Sequence, residues 1–194
     1  IINRGTVRQQ FHAFFRHATA TQFERAKPWK LHQQSDRVGS NVRPREVNGV
    51  QLFQGAHRMK IAVYAISKNE AHFVPRFCES AKEADLILIA DTGSDDGLPE
   101  EAAKHGAQVH HISITPWRFD LARNAALALI PRDFDVCISL DIDEVLQPGW
   151  REEIERVWVK GHTTRLRYMF DWGCGIQFFY EKIHAKHGYM WHHP

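Results

Sequence analysis

Apolar residues in this chain begin to follow a regular pattern at Met59. Ahead of it, in residues 1–58, no stretch keeps a strand or helix period for long, and scattered glutamines and aromatics stand where a core would be. Beyond it, strand-type and helix-type patterns alternate. Residues 61–66 and 86–90 are continuous apolar runs, as expected of parallel strands covered on both faces. Between them, Val74, Phe77, Cys78 and Ala81 share one face of a helix with Pro75 in its first turn. A loop over residues 91–97 leads to a short helix over 99–105, ended by Gly106, and then to a third strand over 109–114. Thr115-Pro116 opens a helix whose apolar stripe is Phe119, Ala122, Ala126 and Leu129, and which stops at Pro131. A fourth strand is expected over 136–140, a helix over 149–159, and strands joined by glycine-containing turns over 163–191. Alternation of this kind predicts an α/β fold, with a Rossmann-like, mostly parallel sheet and helices on both faces.

The expected folded domain is therefore residues 59–194, with residues 1–58 a basic Gln/Arg-rich extension outside it. Charge supports that division. Residues 1–58 hold ten Lys/Arg against three Asp/Glu and the remainder fifteen against twenty, a split hidden inside a net charge of +2. A fragment or upstream extension, a basic arm for nucleic acid and an organelle-targeting peptide compete to explain the extension. No nucleic-acid reader module is recognisable in it, so no nucleic-acid partner is expected. With 194 residues, 43% hydrophobic and 25% charged, the chain suits one globular domain. No apolar run approaches the roughly 18 residues of a bilayer span. Cys78, Cys137 and Cys174 are odd in number, far apart and without a C-x-x-C pair, which disfavours a disulfide framework or cysteine zinc site and points to a reducing compartment.

Chemistry shows in where the acids fall. Asp91 and Asp141 each follow an apolar strand, and ligands of open α/β sheets bind beyond the carboxyl ends of their strands. Asp141 and Asp143 are two apart, so in an extended segment both can reach one hard cation or one polyol. A divalent ion held by so few carboxylates needs further oxygens, and a substrate diphosphate is the usual supply. No Walker A or G-x-G-x-x-G sequence follows a strand, so a metal would have to handle the phosphates. Taken alone, Asp-x-Asp is also compatible with a capped, solvated loop. His184, His187, His192 and His193 resemble a zinc site superficially, but without a paired Cys or acid at ligand spacing they are expected to be packed or solvated.

In combination the motifs are more specific. Ser67-Lys68-Asn69-Glu70, then residues 90–97 (ADTGSDDG), then Ala122-Arg123-Asn124-Ala125-Ala126-Leu127, then Leu140-Asp141-Ile142-Asp143-Glu144 together resemble the bacterial family 2 glycosyltransferases of GT-A fold. The resemblance covers Met59 to about Asp143 well and the remainder loosely. It implies transfer of a sugar from a nucleotide diphosphate donor to a glycan, lipid or protein acceptor, inverting, with Mn2+ or Mg2+ as cofactor. It further implies that Asp91 bonds the base or ribose, that Asn69, Glu70 and Ser94 shape the nucleotide pocket, and that Arg123 and Asn124 lie near the nucleotide. By the same resemblance Asp141 faces the ribose and contributes to the metal site, Asp143 binds the metal, and a carboxylate base serves the acceptor. Asp171 is the candidate for that base, with Glu181 as an alternative. Each residue has a plainer role open to it: Asn69 as a helix cap, Arg123 paired with Glu79 or Glu83, Asp95 or Asp96 as turn stabilisers.

The resemblance also implies a cytoplasmic setting, peripheral to the inner face of the cell membrane at most, in cell-envelope polysaccharide assembly. The family's Trp…His-Glu segment would follow Trp191-His192-His193-Pro194, so the chain is expected to be a C-terminally truncated domain and a weak or inactive transferase. A haloacid-dehalogenase-like phosphatase, with Asp141 as nucleophile, and a non-catalytic nucleotide-sugar-binding fragment are the alternatives.

Overall fold

The computed structural model describes residues 31–33, as backbone, and residues 58–192. Expectations for the rest of residues 1–58 and for His193 lie outside the described residues. In chain order the elements are β1 (Leu31–Gln33), β2 (Ile61–Ser67), a 3-10 turn (Ala71–Phe73) running into α1 (Val74–Ala81), β3 (Leu86–Asp91), α2 (Leu98–Lys104) and β4 (Gln108–His111). There follow α3 (Phe119–Leu129), β5 (Val136–Ser139), α4 (Trp150–Val157), β6 (Arg165–Gly173) and β7 (Ile176–Ala185).

One sheet runs in the order β1-β6-β7-β5-β2-β3-β4. β2 pairs in parallel with β3 and β5, and β3 with β4, whereas β5–β7, β6–β7 and β1–β6 are antiparallel. Alternation along β2 explains why its apolar run is unbroken. Ile61, Val63 and Ala65 face a cluster built with Phe77 of α1, Leu98 of α2 and Trp150 and Ile154 of α4. Ala62 and Tyr64 face the opposite cluster, with Ala126 and Leu127 of α3. A strand buried on both sides has no polar face to show. Met59 is tied in as well: its carbonyl accepts from buried Arg151 (2.8 Å), which also reaches the Asp85 carboxylate (3.0 Å).

Three expectations need correction. The third strand stops at His111 and α3 starts at Phe119, so residues 112–118 are a connection rather than strand and helix. The buried face of α3 is Asp120, Ala122, Ala126 and Leu127, while Phe119 and Leu129 are exposed. Phe119 is drawn off the stripe by polar-site neighbours: its ring meets Trp117 edge-on (5.4 Å) and the Arg123 guanidinium (5.7 Å). Finally, residues 31–33 of the extension pair as an edge strand with β6, Leu31 opposite Tyr168. A three-residue ladder is made by backbone groups and leaves no hydrophobic period to read.

Candidate active site

The carboxyl ends of β2, β3 and β5 lie side by side, because Ser67 is opposite Asp91 in the β2–β3 ladder and Tyr64 opposite Ser139 in the β2–β5 ladder. At the β3 end Asp91 is fully buried. Its Oδ1 accepts from the backbone N–H of Ser94 (3.0 Å) and from the Ser94 hydroxyl (2.5 Å). Its Oδ2 lies 2.8 Å from Nδ1 of His111 without hydrogen-bond alignment. Gly93, inside the turn that Ser94 closes, sits at φ +101°, where an L side chain is strained.

Asn69 binds this loop to the one after β2. Its backbone N–H donates to the Ser94 hydroxyl (2.9 Å), its Oδ1 accepts from the N–H of Asp95 (2.8 Å), and its φ of 56° is one that Asn tolerates. It is not a helix cap. Glu70 accepts from the Ser67 hydroxyl (3.2 Å). Asp96 is a turn stabiliser, accepting from the N–H groups of Ala71 (2.8 Å) and Leu98 (3.2 Å).

Beyond β5 the acids converge on two cations. Asp141 Oδ1 accepts from Arg123 (3.0 Å) and Oδ2 from Lys182 (3.0 Å). Burial alone would raise the Asp141 carboxyl, but the Lys182 and Arg123 charges hold it below the usual carboxylate range. Burial, followed by the neighbouring Asp141 charge, pushes Asp143 upward. The Asp143 side chain has no ion-pair partner among the described residues, while its carbonyl accepts from Arg76. Arg123 is therefore paired with Asp141, and Glu79 instead pairs with Lys82.

Asn124 is fully engaged elsewhere. Its amide donates to the Trp191 carbonyl and accepts from the Trp191 N–H, both at 2.8 Å. The Trp191 indole donates to Tyr64 Oη (2.8 Å) and lies 5.3 Å from the Arg123 guanidinium. Asn124 thus bears on the site through Trp191 and Arg123. Asp171 is not brought to the cluster. It is exposed at the far end of the β6–β7 hairpin, where it accepts from the Gly173 N–H (2.8 Å) and Gln177 (2.9 Å). A strand rise of about 3.3 Å per residue puts Gln177 roughly 16 Å from Lys182 along β7. Glu181 is engaged by Arg167 (2.7 Å) and Arg165 (3.3 Å). A depression of about 680 Å³ beside α2, lined by His72, Asp96, Glu100 and Lys104 among others, includes none of the strand-end acids.

Among the described residues no group of three or more His, Cys, Asp or Glu is arranged to hold a metal. His184 is buried against Tyr64 (2.9 Å) and His187 bonds the Arg132 carbonyl (2.7 Å), so these two are packing and tethering groups. Of the three acids after β5, Asp143 is the one with no ion-pair partner among the described residues, and so the one that could hold a hard divalent ion. Lys182 and Glu144 were missed as members of the site from the sequence. Glu144 directly follows the Asp-x-Asp, and a lysine among the apolar residues of a strand was the signal for the other.

An α/β sheet with acids at adjacent parallel strand ends defines a class of protein whose ligands enter at that edge. Within that class, the sequence model of glycosyl transferase family 2 matches residues 63–169. The chain belongs to glycosyltransferase family 2, and its fold is the GT-A-like α/β arrangement. It is 33% identical over 104 residues to a TPR repeat-containing protein of Synechococcus elongatus, covering 52% of this chain and 25% of that one. The chain thus spans 25% of the length of that curated relative. Among solved structures it is similar to glucosyl-3-phosphoglycerate synthase from Mycobacterium tuberculosis in complex with Mn2+, UDP and glucosyl-3-phosphoglycerate, with 21% identity, 43% and 33% of the two chains covered and a TM-score of 0.38. S. aureus TarS 1–349 gives 16% identity, 50% and 32% coverage and a TM-score of 0.44. For mannosyl-3-phosphoglycerate synthase from Rubrobacter xylanophilus the values are 22%, 47% and 33%, and 0.37.

Proposed function

We propose that this chain binds a nucleoside diphosphate sugar at the carboxyl edge of its parallel strands and transfers the sugar, with inversion, to an acceptor hydroxyl, assisted by Mn2+ or Mg2+. The observation that carries the reading is the division among the strand-end acids: Asp91 is buried beneath one loop, Asp141 is held between two cations, and Asp143 has no ion-pair partner among the described residues. Asp91, Asn69, Glu70 and Ser94 would shape the base and ribose pocket. Asp141 would face the ribose, oriented by Arg123, whose remaining donors suit a phosphate. Asn124 would act at one remove, by fixing Trp191 against Arg123. Asp143 would hold the divalent ion, and Arg76 orients that acid by holding its carbonyl. A bound ion would stabilise the charge that develops on the departing diphosphate. The phosphatase alternative is set aside by family membership.

Calorimetry of UDP with and without Mn2+ tests the proposal. Binding should weaken at least about tenfold when a chelator is added, as the diphosphate loses its metal bridge. In Asp143→Asn the same metal dependence should disappear. Undiminished binding by the unaltered chain in chelator would overturn the reading.

A further inference from the structure

Asp141, Asp143 and Glu144 place three acids within one short turn. Left to themselves they would repel one another and concentrate negative charge that attracts a divalent cation to the turn. Lys182 changes that. Its side chain is 2% exposed, and its Nζ lies 3.0 Å from Asp141 Oδ2 and 2.7 Å from each Glu144 oxygen, so its three donors are all used. The Tyr180 ring closes over it, 4.7 Å from Nζ to the centroid. Arg123 takes the other Asp141 oxygen, and Glu144 Oε2 also accepts the Asp141 backbone N–H (3.0 Å). Both oxygens of Asp141 and both of Glu144 are therefore committed to cations, and Asp143 alone is not. Three carboxylates set against Arg123, Lys182 and the Arg76 guanidinium on the Asp143 carbonyl leave no net negative charge, too little to bind a divalent ion tightly without another anion.

We infer that Lys182 is a positioning residue that withholds Asp141 and Glu144 from a divalent ion, so that the ion binds firmly only together with a donor diphosphate. This rests on the donor-site reading above and makes metal and nucleotide binding strongly synergistic. A lysine serves because it is a compact charge with three donors, matched here by three acceptor oxygens.

Electron paramagnetic resonance of Mn2+ on the full 194-residue chain, with and without UDP, tests the inference. The unaltered chain should bind Mn2+ weakly alone and much more tightly with UDP. Removing one positive charge should tighten binding of Mn2+ alone by about tenfold in Lys182→Gln and shrink the gain from UDP, whereas Lys182→Arg keeps the original pattern. A Lys182→Gln protein whose affinity for Mn2+ alone is unchanged or weaker overturns the inference. Should that variant fail to fold, Glu144→Gln examines the same division with the lysine in place. Its Mn2+ affinity in the presence of UDP should fall by no more than the roughly tenfold that one lost charge accounts for, with the gain from UDP retained, and a loss of about a hundredfold would make Glu144 a ligand and the inference wrong. If UDP does not raise the Mn2+ affinity of the unaltered chain, the donor-site reading fails. The metal-only comparison of Lys182→Gln still judges the lysine.

Discussion

In the parallel half of the sheet, β5-β2-β3-β4, helices cover both faces of the inner strands, and β2 is apolar from its first residue to its sixth. In the antiparallel half, β7, β6 and β1, burial is graded. Lys182, Ile183 and His184 of β7 are buried where they run beside β5, whereas Ile176, Phe178 and Phe179 toward the hairpin turn are exposed. Rigidity and chemistry are divided accordingly. The parallel half supplies strand-end acids on fixed backbone, and β7 supplies the cation that sets which of those acids is free. The site therefore lies at the seam between a complete two-sided core and a hairpin that only half joins it.

The largest consequence falls in the two-sided half. Trp150 is fully buried among Phe77, Ile61 and Ile154, and its indole N–H donates to the Ser80 carbonyl (3.1 Å). Trp150→Ala should cost about 3 to 5 kcal/mol, from the cavity it opens and the carbonyl it strands. Urea denaturation reads this directly. A loss below about 1.5 kcal/mol would mean that α4 is not part of the core and would blur the contrast drawn here.

Next in size is a pH effect at the seam. Burial pushes His184 down to about 4, and it is held neutral against Tyr64 and stacked on Tyr189 (3.8 Å). Unfolded, the ring titrates at about 6.5. Between those values the unfolded chain binds more protons than the native one, so stability is complete above about pH 6.5 and falls as pH drops toward about 4. The total effect is on the order of 3 kcal/mol. Melting temperatures of the original chain and of His184→Gln across pH 4 to 7 should converge as pH falls. Parallel curves would show that the ring titrates in the native state as it does in the unfolded chain.

The same contrast explains what could be read from the sequence. Continuous runs at 61–66 and 86–90 were legible because double burial removes polar residues from both faces. The helix at Val74, Phe77, Cys78 and Ala81 was legible because all four are buried as its spacing requires. On α3 the spacing misled, since Phe119 answers to Arg123 and Trp117 rather than to the core. Strand-end acids announced themselves by position. Their partners did not: Lys182 is 41 positions from Asp141, and Trp191 is 67 positions from the Asn124 that clamps its backbone. Antiparallel pairing of β7 with β5 brings Lys182 to Asp141, the chain beyond β7 carries Trp191 to Asn124, and no local period encodes either. Asp171 looked suitable for its place after an apolar stretch, yet the hairpin carries it away from the seam.

The smallest predicted effect lies at the far end of that hairpin. Ile176 is 53% exposed and pairs with Gly173. Because its side chain stays largely in water in both the folded and unfolded states, little hydrophobic free energy depends on it, and Thr preserves the β-branched shape that a strand favours. Ile176→Thr should therefore change stability by less than about 0.5 kcal/mol. Exposed Phe178 and Phe179 nearby make the result informative, since an apolar patch of this kind is also a surface on which copies of a chain can meet. A loss above about 1 kcal/mol that grows with protein concentration would show the hairpin end to be covered by a second copy, as expected of mass action. The contrast between the two halves would then describe only the isolated chain. A small, concentration-independent change would confine the stabilising core to the two-sided half and leave β7 as the element that joins it to the site.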